Sequence, residues 1–159
     1  MLLAPLAFAS LVSLADEARG AFLPPVAGAQ EMVVSEQALA TRVGLDVLER
    51  GGNAIDAAVA MAYALAVVHP CCGNLGGGGF LTAHLAGEGR QVFLDFRERA
   101  PLGATREMFL DAAGEPDPKR SLDGYLAVGV PGTVAGLETA RERWGTRPGA
   151  ELIAPAISL

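Results

Sequence analysis

The sequence has no run of lysines or arginines, and this absence removes one class of function. Its 12 basic residues are scattered, and its 18 acidic residues give a formal net charge of −6. A surface that binds nucleic acid needs basic side chains gathered on one face. We therefore expect no nucleic-acid partner, and small molecules or other proteins are the favoured partners.

Cysteine is also scarce, and it is not spaced for a bridge or a metal site. Cys71 and Cys72 are adjacent, and neighbouring residues rarely reach the Cα separation that a relaxed disulfide needs. The sequence contains no CxxC and no spaced His/Cys set to indicate zinc. The segment "HPCC", residues 69–72, is at most a place where a stray metal ion could bind.

Patterns for nucleotide binding and for a nucleophilic triad are missing as well. The glycine run 76–79 is not a G-x-G-x-x-G that opens a helix, and it lacks the Lys-Ser/Thr of a P-loop. No Gly-x-Ser-x-Gly is present, and neither His69 nor His84 has a patterned serine or cysteine partner. The glycine run instead predicts either a close approach of the backbone to another group or a conformation with positive φ.

The first 15 residues carry no charge, although they are too few to span a bilayer. They have the length of the apolar region of a secretory signal peptide, and Ser13 and Ala15 are small residues beside a possible cleavage point. A Pro/Gly/Ala-rich stretch follows. We interpret residues 1–30 as a leader and linker that direct the protein to the periplasm or outside the cell. The alternative is a short buried or disordered leader.

The remaining residues, 31–159, alternate between helical and strand-like patterns, which is typical of an α/β (α+β) protein. The stretch 97–125 is polar and proline-containing, and it predicts a surface loop with at most a helical turn around Met108. The last residues start an amphipathic helix that stops at Leu159 without a cap, so we interpret the chain as a truncated fragment. The predicted strands are 31–35, 80–85, 91–96 and 126–130, and the predicted helices are 35–50, 53–68, 131–145 and the final run from 151.

A charged cluster follows the second strand of the predicted hairpin. If this strand is extended, Phe93, Asp95 and Arg97 lie on one face. Asp95 would then fix the guanidinium of Arg97 and leave donors for a bidentate contact with a carboxylate. The alternative is an Arg97 that pairs with Asp95 or Glu98 at a strand end. The residues alone favour this ion pair, because such pairs are common and weak.

Several motifs occur in one order along the chain. From about Met32 to Leu159 the sequence resembles the N-terminal part of the large subunit of γ-glutamyltranspeptidases, also called glutathione hydrolases. The stretches that carry the resemblance are "MVVSEQALATRVGLDVLERGGNAIDAAVAMAYALAVVHP", "GNLGGGGF", "DFRERAP", "MFLD" and "GVPGTVAGLETA".

This resemblance implies a fold and a reaction. The fold is the αββα sandwich of N-terminal-nucleophile hydrolases, of which residues 31–159 would be an incomplete domain. The precursor would cut itself, and the new N-terminal threonine of the small subunit would attack γ-glutamyl amides such as glutathione, with its own amine as base. Water or an acceptor amino acid then resolves the acyl-enzyme, and the family needs neither a metal nor a cofactor.

The resemblance also assigns residues. Arg97 matches the arginine that binds the α-carboxylate of the γ-glutamyl substrate, and Asp95 and Glu98 match its neighbours, to which we assign a supporting role. No catalytic residue is assigned, and we expect the isolated fragment to be inactive. The threonines that do not match the family's nucleophile segment are Thr41, Thr82, Thr105, Thr133, Thr139 and Thr146.

Two alternatives to a glutathione hydrolase remain at this stage. One is a related amidase of the same superfamily, either cephalosporin-acylase-like or polyglutamate-processing, because much of the scaffold would be shared. The other is a non-enzymatic scaffold protein that has kept this piece alone. A following small subunit with a threonine nucleophile would support an enzyme.

Overall fold

The computed structural model describes residues 26–159, so most of the predicted leader lies outside the described residues. Residues 32–159 form one compact unit. In the described part, no helix has the length and apolar character needed to cross a membrane. The elements are helices α1 Ala38–Glu49, α2 Ala54–Val68, α3 Pro118–Leu122, α4 Thr133–Trp144 and α5 Gly149–Ser158, with strands β1 Phe80–Leu85 and β2 Arg90–Asp95.

Helix α2 lies at the centre of the core because its side chains are apolar and mostly small. Helices α1, α4 and α5 all pack against it, and small side chains let helices approach closely. Val67 is nonetheless exposed, so α2 is less completely covered within this unit than its uncharged sequence predicts. Its buried residues are Ile55, Asp56, Ala57, Val59, Ala60, Tyr63 and Ala64.

The junction between α1 and α2 follows from local sequence rules. Gly51 has a φ of +81°, and its N–H donates to the Leu48 carbonyl at 2.7 Å while that of Gly52 reaches Val47 at 2.9 Å. This is a Schellman arrangement, in which glycine is favoured. Asn53 and Asp56 then form a capping box at the start of α2. Both predicted helix boundaries at this junction are confirmed.

The two strands form the predicted antiparallel hairpin. Its register pairs Phe80 with Asp95 at one end and Leu85 with Arg90 at the other. Val92 is buried, whereas Phe93 is exposed on the opposite face, as the alternation of strand side chains requires. The mixed helix and sheet class is confirmed, with one two-stranded sheet in the described residues.

Two predictions near the start of the unit are wrong. Helix α1 begins at Ala38, because the Ser35 hydroxyl lies 2.7 Å from Thr41 Oγ1 and donates to the Gln37 carbonyl rather than capping the helix. Residues 31–35 are not a strand, since no strand pairs with them among the described residues.

Two further differences from prediction lie near the C-terminal end of the long polar stretch. Residues 118–122 form α3, which starts with a proline at the first helical position and with the Asp117 side chain accepting from Lys119 N at 3.0 Å. Residues 126–130 are not a strand: Tyr125–Ala127 forms a 3₁₀ turn, and Val130 makes one isolated bridge with Arg99.

Candidate functional site

The backbone around Arg97 is held from two sides by segments distant in sequence. On one side, Gly79 pairs with Phe96 through N–H to carbonyl contacts of 3.4 and 3.0 Å. On the other, Arg99 pairs with Val130 at 3.1 and 2.8 Å. Arg97 therefore lies on a short extended segment between the glycine run and the loop that precedes α4.

Glycines make this approach possible, because a side chain would occupy the space of the Arg97 segment. A Cβ on Gly78 would lie 2.6 Å from the Phe96 carbonyl oxygen, and one on Gly132 would overlap the same oxygen. A Cβ on Gly136 would overlap the Phe96 ring. The predicted role of the glycine run in close backbone packing is thus confirmed at Gly78.

The glycine run also anchors the start of α4. The Gly77 carbonyl accepts the N–H groups of Gly132 at 2.7 Å and Thr133 at 3.0 Å. These are N–H groups at a helix start, where no partner within the helix is available. Three motifs that are separate in sequence, "GNLGGGGF", "DFRERAP" and "GVPGTVAG", therefore meet at the residues on either side of Arg97.

The Arg97 side chain is 62% exposed and is oriented by two neighbours. Its Nε donates to Glu98 Oε2 at 3.2 Å, and its Cζ lies 5.6 Å from the centre of the Phe80 ring. Phe80 in turn stacks on Phe93, with ring centres 5.7 Å apart. A cation over an aromatic face is an attractive contact, so the guanidinium is held by both an acid and a ring.

Asp95 supports Arg97 in a different way from the one predicted. Its carboxylate accepts the backbone N–H of Arg97 at 2.9 Å, whereas the alternation of side chains along the strand predicts a contact with the guanidinium. Aspartate commonly accepts from the amide two residues ahead when the chain turns. Asp95 thus shapes the backbone at the end of β2, and Glu98 is the acid that contacts the guanidinium.

The charge of Glu98 determines which part of the Arg97 guanidinium is engaged. A hydrogen bond from its own backbone N–H, followed by the hydrogen bond from Arg97, lowers the pKa of Glu98 below its ordinary value. Glu98 is therefore ionised at neutral pH and engages Nε of Arg97. Among the contacts within residues 26–159, the two terminal amino groups of this guanidinium have no protein acceptor, so they can meet the two oxygens of a carboxylate.

A groove of about 290 Å³ lies beside this segment, between the end of β2 and the start of α4. Arg97 and Asp95 line one side of it, and Gly132, Gly136 and Thr139 line the other. The two glycines let the start of α4 pack directly against Phe96, which also lines the groove. The groove is thus a place for a small ligand next to the guanidinium.

Phe80, Gly132 and Gly136 belong to the site, although none of them is predicted as a site residue from the sequence. The signal for Phe80 was available, because the hairpin register places it opposite Asp95, two residues before Arg97. No comparable local signal marks the two glycines. Their contact with Phe96 depends on how α4 packs against the sheet.

Two of the threonines and both histidines named in the sequence analysis have contacts or positions that do not indicate a catalytic role. The hydroxyl of Thr139 donates to the Ala135 carbonyl at 2.6 Å, as threonine often does within a helix. Thr146 donates to the buried Asp56 at 2.6 Å. His84 is exposed on β1, and His69 directly follows α2.

Comparison with known proteins agrees with these features. A glutathione hydrolase proenzyme from Pseudomonas sp. (strain A14) is 59% identical over 135 residues, which are 85% of this chain and 23% of that protein. The glutathione hydrolase proenzyme of Escherichia coli (strain K12) is 54% identical over 135 residues, with the same coverage. The chain thus spans about a quarter of the length of these curated relatives.

A solved structure shows the same likeness in three dimensions. The crystal structure of Helicobacter pylori γ-glutamyltranspeptidase matches with a TM-score of 0.80 and 57% identity, over 86% of this chain and 39% of that one. The γ-glutamyltranspeptidase family model matches residues 40–159, which contain the three motifs gathered around Arg97. This chain therefore belongs to the γ-glutamyltranspeptidase family and corresponds to the N-terminal part of its large subunit.

Proposed function

We propose that this chain is part of a glutathione hydrolase that cleaves γ-glutamyl amides such as glutathione and transfers the γ-glutamyl group to water or to an amino acid. The family match over residues 40–159 supports this, as do the names of the relatives at 59% and 54% identity. The related acylases of the alternative interpretation are not favoured, because both of these relatives are glutathione hydrolases.

Within this enzyme, Arg97 binds the α-carboxylate of the γ-glutamyl substrate. The observation that carries this role is the convergence of three motifs on the backbone of Arg97, with a guanidinium whose Nε is already engaged by Glu98. Two terminal amino groups then offer a planar pair of donors to a carboxylate. Glu98 and Phe80 orient these donors, and Asp95 sets the backbone beneath them.

The chemical step needs residues beyond these 159. A threonine hydroxyl attacks the γ-carbonyl and its own α-amine takes the proton, so the amine product leaves and an ester to the γ-glutamyl group remains. Water or an acceptor amine then breaks that ester. We assign this threonine to the small subunit of the same precursor, and we expect residues 1–159 alone to be inactive.

The fold proposed for the whole domain is the αββα sandwich of N-terminal-nucleophile hydrolases. The stacked Phe80 and Phe93 rings lie on the exposed face of a two-stranded sheet, and so small a sheet is marginally stable without further strands or layers. Further strands and a second sheet would cover this face. The likeness to the solved Helicobacter pylori enzyme supports this arrangement.

The domain organisation and the location of the protein complete the proposal. Residues 1–30 serve as leader and linker, and residues 31–159 begin the enzyme domain. The uncharged start of the chain supports export to the periplasm or beyond the cell.

Substitution of Arg97 in the complete enzyme tests the proposed role. Arg97→Ala should lower kcat/KM for a γ-glutamyl anilide by roughly 30- to several-thousand-fold, since truncating one member of a desolvated charge pair costs on the order of 2–5 kcal/mol. Arg97→Lys should restore only part of the loss, because an ammonium keeps the charge without the planar pair of donors.

Arg90 provides a matched control. It is an exposed arginine at the opposite end of β2, paired with Glu88 at 2.6 Å, so Arg90→Ala should leave kcat/KM close to that of the parent enzyme. Self-cleavage, followed on a gel, should survive all three changes. A matured Arg97→Ala enzyme with the parent kcat/KM would show that Arg97 is only a strand-end ion pair.

A further inference from the structure

A cluster of sulfur and nitrogen atoms lies immediately after α2, in a part of the chain that the contacts of Arg97 do not use. Cys71 Sγ is 3.5 Å from His69 Nε2 and 3.9 Å from Nδ1. One ring nitrogen of His69, Cys71 Sγ and Cys72 Sγ all lie within 4.8 Å of one another. Both cysteines are exposed and unbridged, so their sulfur atoms are accessible to a solute.

The backbone brings these side chains together through a tight turn. The His69 carbonyl accepts the N–H groups of Cys72 at 3.1 Å and of Gly73 at 2.8 Å. Gly73 has to be a glycine here, because a Cβ would overlap the carbonyl group of Leu65 in the last turns of α2. The chain therefore turns back at the end of the helix, and the two thiols lie close to the imidazole.

A fourth candidate ligand comes from the segment before α1. Glu36 Oε2 lies 3.4 Å from His69 Nε2, the same nitrogen that faces Cys71. The Glu36 side chain is 84% exposed, so its carboxylate can reorient without disturbing the core. The imidazole thus contacts the Glu36 carboxylate as well as Cys71, and both thiols lie within 4.8 Å of one of its ring nitrogens.

The charge balance of the cluster favours a cation. Metal ligation requires both thiols as thiolates, and the Glu36 carboxylate adds a further negative charge beside His69. A divalent ion bound among these groups would balance that charge.

We propose that His69, Cys71 and Cys72, with Glu36 as the fourth ligand, bind one thiophilic divalent ion of the zinc class. Zinc takes four such ligands in a tetrahedron, with bonds of about 2.3 Å to sulfur and about 2.0 Å to nitrogen. Those bond lengths separate neighbouring ligand atoms by about 3.3–3.8 Å. The distance of 3.5 Å between Cys71 Sγ and His69 Nε2 matches this spacing. Rotation of the exposed Cys72 and Glu36 side chains would bring their ligand atoms to similar distances.

Binding is balanced by the release of protons. The two thiol protons leave to solvent as each sulfur forms its bond to the metal, and neutral His69 donates a ring lone pair. The ion would join the segment before α1 to the turn after α2. That turn leads directly into the glycine run next to Arg97, so the bound state should be more resistant to unfolding.

Cobalt titration of the reduced, complete protein tests the site. Co²⁺ replaces zinc in thiolate sites and gives a sulfur-to-metal charge-transfer absorption. One ion per chain should produce this band, and Zn²⁺ should displace it. Cys71→Ser and Cys72→Ser should abolish the band, and His69→Ala should weaken Co²⁺ binding at least tenfold, since even indirect support of a metal ligand is worth about 10- to 100-fold.

The second histidine supplies the matched control. His84 is exposed on β1, and His84→Ala should leave both the band and the affinity unchanged. As an independent readout, Zn²⁺ should raise the Tm of the parent protein and of His84→Ala but not that of Cys71→Ser.

Three outcomes would overturn the proposal. One is a cobalt band that is absent from the parent, or that is as strong in Cys71→Ser and Cys72→Ser as in the parent. Another is equal affinity in His69→Ala and His84→Ala, which would indicate an adventitious ion only. The third is a Cys71–Cys72 disulfide, seen as a mass two units lower before reduction, in a protein that shows no cobalt band after reduction.

Discussion

At the scale of single residues, the site depends as much on missing side chains as on present ones. Arg97 has the donors for a carboxylate, yet its position is set by Gly78 and Gly132, whose Cα atoms face the Phe96 carbonyl. Backbone segments that pack this closely leave no room for even one methyl group. The charged residue and the glycines are therefore parts of one arrangement.

Two glycines of the run, Gly78 and Gly76, allow the packing role to be tested by substitution. Gly78→Ala should destabilise the complete protein by about 1–3 kcal/mol, because its Cβ would lie 2.6 Å from the Phe96 carbonyl oxygen and 2.7 Å from the Glu98 nitrogen. It should also lower kcat/KM by displacing Arg97. Gly76→Ala should change neither, since nothing lies within 4 Å of its Cβ position. Denaturant unfolding and steady-state kinetics measure both effects, and equal behaviour of the two variants would contradict the packing role.

At the scale of elements, one buried carboxylate joins the start of α2 to the end of α4. Asp56 is fully buried. It accepts the backbone N–H groups of Asn53, Thr146 and Arg147 and the hydroxyl of Thr146, at 2.6–3.1 Å. The Asn53 side chain also donates to the Trp144 carbonyl at 2.7 Å. Because α4 begins beside Phe96, this joint holds the far end of the helix that lines the groove.

Replacement of Asp56 should therefore be costly. Asp56→Asn should lower the free energy of unfolding by about 2–3 kcal/mol, because an amide presents N–H groups to donors that need an acceptor. Asp123→Asn, at an exposed aspartate, is the control and should change it little. Equal unfolding free energies for the two variants, measured by denaturant titration, would show that the joint contributes nothing.

The same carboxylate predicts a pH dependence. Burial acts to raise the pKa of Asp56, but the hydrogen bonds from Thr146, Asn53 and Arg147 outweigh it and lower the pKa in the folded protein. The unfolded chain therefore binds the proton more readily, with a pKa of about 3.9. The stabilisation is complete above that value and is lost as pH falls through the lower folded pKa. In Asp56→Asn, the free energy of unfolding should therefore fall less steeply as the pH is lowered through this range, as denaturant titrations at a series of pH values would measure.

At the scale of the whole molecule, the proposed export can be tested directly. The uncharged start of the chain ends at Asp16, next to small residues, so we expect cleavage near Ala15. Mass spectrometry of the complete protein from its natural host should find a new N-terminus there, in the periplasmic or secreted fraction. Material in the cytoplasm that still carries Met1 would contradict export.

The sequence by itself determined the features that depend on neighbouring residues. The Schellman end at Gly51, the capping box of Asn53 and the hairpin between β1 and β2 follow from rules that act over a few positions. The ordered motifs were also sufficient to identify the family and to select Arg97 as the candidate ligand for a carboxylate. Local hydrogen bonds and hydrophobic periodicity depend only on residues that are close together in the sequence, so they can be predicted from it.

Only the tertiary structure decided the contacts between segments that are far apart in sequence. It placed Phe80 against the Arg97 guanidinium, and it left residues 31–35 and 126–130 outside the sheet. It also selected Glu98 over Asp95 from the two acids that the sequence offers as partners of that guanidinium. An apolar run becomes a strand only where a partner strand satisfies its backbone. A side chain likewise pairs with whichever group the packing brings within reach, and that choice depends on the positions of α4 and the glycine run.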